Sequence, residues 1–268
     1  MRLAASNIGW RAEADGAVYA RMQSLGFTGL EIAPTRLFPE APYDRAHEAA
    51  AYFADLYERY GLRPCSMQSI WYGRVERVFG TPDERRTLLE YTRRAIDWAA
   101  AIGCPSLVFG CPRNRALPGG ADPELGVAFF RELGEHAAAR GTALAMEANP
   151  PVYHTNYVNT TAQAIDLVRA VDSVGFRLNL DLGACVGEDT PLALLREHAS
   201  LIRHVHLSEL GLPPVPERPY HRQVADLLTE SGYTGYVSLE IGARESRVAL
   251  LEGLDYLRRV FGAEEARA

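Results

Sequence analysis

Glycine residues recur along this chain where a helix-like stretch gives way to a strand-like stretch, and this repeat constrains the fold more than any single motif. The junctions lie at Gly26, Gly61, Gly103, Gly141, Gly175 and Gly232. Their spacings are 35, 42, 38, 34 and 57 residues, and the last is wide enough to contain one further unit. Glycine just beyond a helix end adopts the left-handed conformation without a Cβ clash. The pattern therefore predicts a series of strand–helix units.

Eight short apolar runs fit this series as strands. We predict them at residues 2–7, 29–33, 63–70, 106–110, 143–148, 176–181, 203–209 and 236–241. The clearest helix begins at Thr81, which forms a capping box with Glu84, places Pro82 in its first position and ends before Gly103. Each unit has about 33 residues, the size of one βα unit of a closed barrel. We therefore predict one α/β domain over residues 1–268, a (β/α)₈ TIM barrel, and disfavour an open doubly wound sheet.

The charged residues exclude several classes of protein. All 28 basic residues are arginine, so a Schiff-base aldolase, a pyridoxal-phosphate enzyme and a P-loop nucleotidase lack their lysine. The net charge of −6 argues against a nucleic-acid partner or an anionic membrane surface. Membrane-spanning and targeting segments are also not indicated. The sequence has no apolar run of about 18 residues and no signal-peptide pattern at its start. We therefore expect a cytoplasmic protein.

Four polar side chains are predicted to meet inside the barrel. Alternate residues of a strand face opposite sides, so the apolar positions of each strand face the helices and the others face the axis. This parity turns Glu147, Asp181, His206 and Glu240 inward, each near the carboxyl end of one of four consecutive strands. Active sites of this architecture form at that end. His204 is expected to lie a layer deeper and to form hydrogen bonds within the barrel.

The four residues have the chemistry of a metal site. Three carboxylates in a partly buried cavity repel one another unless they are protonated or hold a cation. Three oxygen ligands and one imidazole suit one divalent ion, with Mn²⁺ preferred and Mg²⁺, Co²⁺, Fe²⁺ or Zn²⁺ as alternatives. Open coordination positions would then receive the oxygens of a substrate.

Other residues are candidates for contacts with a substrate. Glu31 faces inward and is interpreted equally well as an acid of a deeper layer or as a substrate contact. Arg113 and Arg115 would bind an anionic group, although solvated loop arginines are an equal alternative. The remaining candidates follow strands or lie in loops: Trp10, Gln68, His154, Glu209 and His221.

The chain resembles the xylose isomerase-like TIM-barrel superfamily, the sugar phosphate isomerase and epimerase group. Four segments in order carry the resemblance: Ala-Met-Glu-Ala-Asn-Pro at 145–150, Asn-Leu-Asp-Leu-Gly at 179–183, His-Val-His-Leu-Ser-Glu at 204–209 and Val-Ser-Leu-Glu at 237–240. In ketose 3-epimerases and hydroxypyruvate isomerases of this group, the matching residues bind one divalent metal. The resemblance implies that Glu147, Asp181, His206 and Glu240 are the ligands and that Glu147 and Glu240 form an acid/base pair.

The implied reaction is an isomerisation or epimerisation of a keto-sugar, polyol or cyclitol-like substrate. A metal bound to the carbonyl and hydroxyl oxygens would stabilise an enediolate while two carboxylates remove and return a proton. Return to the opposite face epimerises the carbon, whereas return to the adjacent carbon isomerises the substrate. Relatives often form dimers or tetramers, so a homo-oligomer is compatible with the resemblance.

The sequence departs from the pattern of the group around the substrate. Ala184 stands where many members have a histidine that contacts the substrate in the epimerases, Tyr153 replaces a glutamate and Leu212 replaces an arginine. These departures predict a non-standard substrate, with Arg113 or Arg115 available to an anionic one.

Three other functions remain as alternatives. A dehydratase would use a similar metal and proton abstraction, and a sugar-binding barrel would have kept the metal and lost the chemistry. An apurinic endonuclease is disfavoured because it needs a three-metal cluster, further histidines and a basic surface.

Overall fold

The computed structural model describes residues 1–262, and its eight parallel strands close into a (β/α)₈ barrel. Each strand pairs with the next along the chain, and the eighth pairs with the first, with Ala4 opposite Ser238. The strands are β1 Arg2–Ser6, β2 Gly29–Ile32, β3 Arg63–Met67, β4 Ser106–Phe109, β5 Ala143–Glu147, β6 Phe176–Asp181, β7 Ile202–Leu207 and β8 Tyr236–Leu239. The single α/β barrel predicted from the sequence is therefore confirmed.

A principal α-helix follows every strand in the described part of the chain, which also contains two further short α-helices and six 3-10 turns. The helices are α1 Asp15–Ser24, α2 Pro34–Leu37, α3 Ala46–Tyr60, α4 Pro82–Ala101, α5 Glu124–Ala139, α6 Thr161–Val171, α7 Leu182–Gly187, α8 Leu192–Glu197, α9 Pro219–Glu230 and α10 Val248–Phe261. Helices α2 and α7 are the short additions. Within residues 1–262, no helix is long and apolar enough to cross a membrane.

All eight predicted strands are present, but most end earlier than the sequence indicated. The strand predicted at 176–181 matches β6, whereas the strand predicted at 63–70 ends at Met67. Likewise β7 ends at Leu207 and β8 at Leu239. At the carboxyl end of these strands the chain leaves the sheet and forms the loops of the site. The apolar run in the sequence continues past the last paired residue, so it overestimates the length of the strand. Glu240 therefore lies just beyond its strand.

Glycine ends the helices as expected at five of the six junctions. Gly26, Gly61, Gly103, Gly141 and Gly232 have φ between 69° and 76°. Gly175 is the exception, because α6 is followed by Asp172 in the left-handed region with φ 48°. Glycine is needed at 175 for another reason: a Cβ there would overlap the carbonyl oxygen of Gly134 in α5. This residue marks a close approach of two backbones and not a helix end.

The capping box predicted for the longest helix is present. The Glu84 amide donates to Thr81 Oγ1 over 3.2 Å, and the Thr81 amide donates to Glu84 Oε2 over 2.7 Å. A second capping box joins Thr160 and Gln163 at the start of α6. Both boxes satisfy amides that the first helical turn leaves unpaired.

The register of the strands brings the polar side chains together at one end of the barrel. Glu147 pairs with Asn179, Asp181 pairs with His206, and His206 pairs with Ser238. Barrel strands are tilted and staggered, so side chains that meet near the axis come from positions displaced along neighbouring strands. Glu147, Asp181 and His206 end their strands or lie one residue from the end, and Glu240 follows β8, so the four side chains converge at the carboxyl end of the barrel.

Candidate metal centre and active site

A cavity of about 300 Å³ opens at the carboxyl ends of the strands. It is bounded by residues that follow β3, β4, β5, β7 and β8 and by the end of β6. Its polar walls are formed by Gln68, Ser69, Glu147, Asn149, Tyr153, Asp181, His206, Ser208, Glu209 and Glu240. This is the end at which barrels of this architecture carry their active sites.

The structure brings Glu147, Asp181, His206 and Glu240 into one cluster. One ligand atom from each lies within 4.8 Å of the corresponding atoms of the others. His206 Nδ1 lies 3.0 Å from Glu147 Oε1, 3.2 Å from Glu240 Oε2 and 3.8 Å from Asp181 Oδ2. Three carboxylates and one imidazole nitrogen thus surround a common point, an arrangement suited to a divalent cation.

The imidazole ring of His206 is oriented by Glu31. His206 Nε2 lies 2.9 Å from Glu31 Oε2, and both side chains are completely buried. Carboxylates commonly hold metal-binding histidines in this way, because a proton fixed on one ring nitrogen leaves the other free as a ligand. Nδ1 is therefore the nitrogen presented to the cluster.

Further hydrogen bonds fix the carboxylates. Asn179 Nδ2 donates to Glu147 Oε1 over 2.8 Å, and Asn149 Nδ2 donates to Glu147 Oε2 over 2.9 Å. Asp181 accepts at Oδ1 from the Ala184 amide and at Oδ2 from the Ser208 hydroxyl, both over 2.6 Å. Each oxygen keeps a lone pair for a cation, so the cluster is held in place while it can still coordinate.

The pKa values of the cluster reflect several carboxylates buried close together. Burial and the Glu147 carboxylate raise the pKa of Asp181 to about 7. Burial and the same neighbour raise the pKa of Glu240. Burial alone would lower the pKa of His206, but the Glu240 and Glu31 carboxylates outweigh it and raise that pKa well above its usual range. A divalent cation would relieve this repulsion.

Arg115 does not line the cavity, and its predicted contact with an anionic substrate is corrected. The residue is completely buried, and its guanidinium donates to the backbone oxygens of Glu147 and Tyr157 over 2.9 and 2.8 Å. It also donates to Asn149 Oδ1 over 2.6 Å. Arg115 thus ties the loop after β4 to the loop after β5. Burial lowers its pKa to about 10, which leaves it charged near neutral pH.

Four other candidate residues lie away from the cavity. Trp10 is buried and donates to Asp15 Oδ1 over 2.7 Å, and His221 is buried against the Tyr256 hydroxyl at 3.1 Å. Trp10 and His221 are therefore packed inside the protein, and the substrate contacts predicted for them are not supported by their positions. Arg113 is exposed, and His154 borders a separate surface groove.

Of the remaining candidates, two reach the cavity and one lies beneath it. Gln68 lines the cavity and donates to Ser6 Oγ over 2.5 Å, and Glu209 lines it while paired with Arg218 at 2.6 Å. Glu31 belongs to the deeper layer, because it has no exposed surface and contacts His206 from below. His204 lies there too, with Nε2 2.8 Å from Glu31 Oε2, as expected.

Four residues of the site were not among the predicted ligands or substrate contacts. Asn149, Asn179 and Ser208 hold the ligand carboxylates, and Tyr153 lines the cavity, where its hydroxyl accepts from the Gly211 amide over 2.7 Å. The alternation of strand residues could have identified three of them, because residues two positions apart face the same side. Asn149 stands two positions after Glu147, and Ser208 stands two positions after His206. Asn179 stands two positions before Asp181. No signal in the sequence reports the contact between Tyr153 and Gly211, because it joins two loops.

The loops around the cavity contain non-glycine residues in the left-handed backbone region. Ser69, Cys111 and Leu212 have φ of 54°, 43° and 58°, and all three line the cavity. Such conformations cost free energy and tend to collect at functional sites. They support the assignment of this cavity as the functional one.

The fold and the site define a (β/α)₈ barrel with a strand-end cluster suited to a divalent metal. The model of the xylose isomerase-like TIM barrel family matches residues 19–260, and the chain belongs to this family.

Three relatives with named activities are between 18% and 26% identical to this chain. The 2-oxo-tetronate isomerase of Haemophilus influenzae is 26% identical over 173 residues, which cover 62% of this chain and 65% of that protein. The structure of D-psicose 3-epimerase with D-tagatose from Clostridium cellulolyticum H10 has a TM-score of 0.76 at 18% identity, over 98% of this chain and all of that one. The structure of 3-keto-D-glucoside 4-epimerase from E. coli has a TM-score of 0.75 at 21% identity, over 97% and 99% of the two chains. These two likenesses establish the shared fold.

Proposed function

We propose that this protein is a divalent-metal-dependent isomerase or epimerase of an uncharged keto-sugar, polyol or cyclitol-like substrate. The observation that carries the proposal is the cluster of Glu147, Asp181, His206 and Glu240, whose ligand atoms lie within 4.8 Å of one another. The names of these relatives, a 2-oxo-tetronate isomerase, a D-psicose 3-epimerase and a 3-keto-D-glucoside 4-epimerase, agree with this reaction class.

The residues present fit one divalent ion. Glu147, Asp181, Glu240 and Nδ1 of His206 would hold it. The ion would offset the burial and the repulsion from Glu147 that together raise the pKa of Asp181 to about 7. The bound ion would polarise the oxygens of the substrate and stabilise the negative charge of an enediolate; Mn²⁺ is our preferred ion.

Proton transfer is assigned to Glu147 and Glu240. The two carboxylates extend from β5 and from the end of β8, on either side of the His206 imidazole, and both line the cavity. One removes the proton beside the carbonyl group, and the other returns a proton to the opposite face or to the adjacent carbon. The bonds from Asn149 and Asn179 keep the Glu147 carboxylate in place for this transfer.

The charge of the cavity favours an uncharged substrate. Within the described chain, the residues that line it include four carboxylates and no arginine. The guanidinium of Arg218 is engaged in two hydrogen bonds with the lining residue Glu209, and that of Arg115 is buried behind Asn149. Gln68, Asn149, Tyr153 and Glu209 are proposed to bind hydroxyl groups. Apart from the proposed metal ion, a free carboxylate or phosphate on the substrate would meet negative charge without a compensating arginine in the cavity lining.

The test combines metal analysis with turnover. Metal per chain is measured by elemental mass spectrometry for the wild type and Asp181→Ala, and we expect about one divalent ion that the variant loses. The wild type is then incubated in deuterated water with neutral keto-sugars and with 2-oxo-tetronates. We expect deuterium to enter the carbon beside the carbonyl group of a neutral substrate.

Two variants separate catalysis from folding. Glu147→Gln is expected to lower turnover by about 10²-fold or more, because the amide cannot accept the proton. Glu132→Gln, at a half-buried position on α5 where the carboxylate pairs with Arg93, serves as the matched control and should retain full turnover. Full turnover by Glu147→Gln would contradict the proposal, and a product that has lost one water molecule would indicate a dehydratase instead.

A further inference from the structure

A second cavity, of about 290 Å³, opens at the opposite end of the barrel, where the strands begin. Arg2 at the start of β1, Arg203 in β7 and His204 line it, together with residues of the turn that precedes β8. Within the described chain, no aspartate or glutamate lines this cavity. Its charge is therefore opposite to that of the metal cluster.

The arginines of this cavity have no acidic partner. Arg2 Nε donates to the Thr234 carbonyl over 3.1 Å, and its guanidinium carbon lies 4.1 Å from the centre of the Tyr236 ring. Arg203 donates to the Pro105 carbonyl from Nε and Nη2, over 3.2 and 2.7 Å. Neither forms an ion pair with a carboxylate among residues 1–262. Both guanidinium groups are thus oriented by neutral acceptors and keep donors for another group.

A third arginine adds to the positive charge. Arg177 in β6 donates to the carbonyl of Ser200, a residue that lines the cavity, and Arg177 has no carboxylate partner in the described chain either. Arg203 is near enough to lower the pKa of Arg177, after the larger effect of burial. Two guanidinium groups therefore line the cavity, a third contacts its wall through Ser200, and none of the three has a carboxylate partner in the described chain. In a protein of net charge −6, this positive charge indicates a site for an anion.

A buried hydroxyl also faces the cavity without a partner. Ser106 is 2% exposed, lines the cavity at the start of β4, and its Oγ forms no hydrogen bond. A buried polar atom without a partner costs free energy, so such atoms usually have a ligand or water. This observation is independent of the arginines and points into the same space.

We propose that this cavity at the start of the strands binds a small oxyanion, either inorganic phosphate or a phosphate or carboxylate group of a small metabolite. Arg2 and Arg203 would contact the oxyanion through their free guanidinium donors, Ser106 would donate its hydroxyl, and Arg177 would contribute charge. The planar fork of guanidinium donors matches two oxygens of such a group. The site is separate from the proposed metal centre and does not depend on it.

Binding is tested by isothermal titration of the full chain with inorganic phosphate, in chloride buffer with and without a chelator. We expect saturable binding of one phosphate per chain in both conditions. Arg203→Gln and Arg2→Gln are each expected to weaken binding about tenfold, the loss typical of a charge-assisted hydrogen bond. Arg11→Gln replaces an exposed arginine in the loop after β1, at the other end of the barrel, and should leave the affinity unchanged.

Further titrations separate the sources of the oxyanion and the two sites. Glycerol phosphate and malonate replace inorganic phosphate, and the tightest of the three identifies the preferred class. Asp181→Ala should retain phosphate binding. If this variant no longer binds phosphate, the anion binds at the metal centre and the proposal is overturned. Absence of saturable binding by all three anions would also overturn it, as would wild-type affinity in Arg2→Gln. Because Arg2 is exposed, that variant remains informative even if Arg203→Gln fails to fold.

Discussion

Glu147 is held by hydrogen bonds to both of its carboxylate oxygens and to its backbone oxygen. Its two carboxylate oxygens accept from Asn149 and Asn179, and its backbone oxygen accepts from the buried Arg115. Arg115 also donates to Asn149, so a chain of hydrogen bonds runs from the guanidinium through the amide to the proposed base. Arg115 and Asn149 are therefore positioning residues that act through Glu147.

This arrangement predicts the effect of removing the amide. In Asn149→Ala the Glu147 carboxylate loses one donor, and we expect kcat to fall about tenfold, the value of one hydrogen bond to a charged group. Metal content should remain near the wild-type level because all four proposed ligands are present. The measurement is kcat and KM on the substrate found in deuterated water, with metal analysis in parallel.

Asn156 provides the control for this variant. It is an exposed asparagine that bridges the backbone of Leu117 in the same pair of loops. Asn156→Ala should leave kcat unchanged. Equal losses in the two variants would mean that the loops are generally loosened and that Asn149 does not position the base.

At the scale of elements, α4 depends on a cap that is visible in the sequence. Thr81 and Glu84 satisfy two amides of its first turn. Thr81→Ala is expected to lower the free energy of unfolding by about 1 kcal/mol, measured by urea denaturation. Thr87→Ala, in the interior of the same helix, should lower it by much less, because Thr87 bonds only to the Asp83 carbonyl of the preceding turn and alanine favours a helix. A similar loss in both variants would contradict the capping argument.

Helix α9 carries a buried histidine that predicts a dependence on pH. Burial, with a smaller effect of Arg218, lowers the pKa of His221 to about 4. The Tyr256 hydroxyl accepts from the Arg218 amide and lies 3.1 Å from His221 Nδ1, so it donates to a neutral ring. Since an unfolded histidine takes up its proton near pH 6.5, the unfolded chain binds more protons between pH 6.5 and 4. Stability is therefore lost as the pH falls through this window.

The contribution of His221 to this loss is measurable. His221→Gln keeps an acceptor for Tyr256 and cannot titrate. The free energy of unfolding of the wild type should fall between pH 6.5 and 4 by up to about 3 kcal/mol more than that of the variant. Urea denaturation across this range gives both curves, and parallel curves would show that His221 does not titrate on unfolding.

At the scale of the whole molecule, the proposed ligands join four consecutive strands. Glu147, Asp181 and His206 lie in β5, β6 and β7, and Glu240 follows β8. The unfolded chain has no preformed site, so a bound ion stabilises the folded barrel. At a free metal concentration near 100 times Kd, the gain is about 2.7 kcal/mol.

Removal of the metal should therefore lower the melting temperature. We expect a chelator to lower Tm of the metal-loaded wild type by roughly 5–10 °C, as calorimetry would record. Asp181→Ala should show little response to chelator, since it lacks a ligand. A wild-type Tm that is independent of metal would contradict the site.

Local sequence patterns determined the number and order of the strands and of the principal helices that follow them, and most of the principal helix ends. They also determined the inward parity of Glu147, Asp181, His206 and Glu240. These features depend on backbone geometry within a few residues, which composition and spacing report directly. The close approach at Gly175, the buried role of Arg115 and the contact of Tyr153 with Gly211 depend on contacts between distant segments. Only the tertiary structure decided them, because closure of the barrel, and not any local preference, determines which loops meet and which charges are buried together.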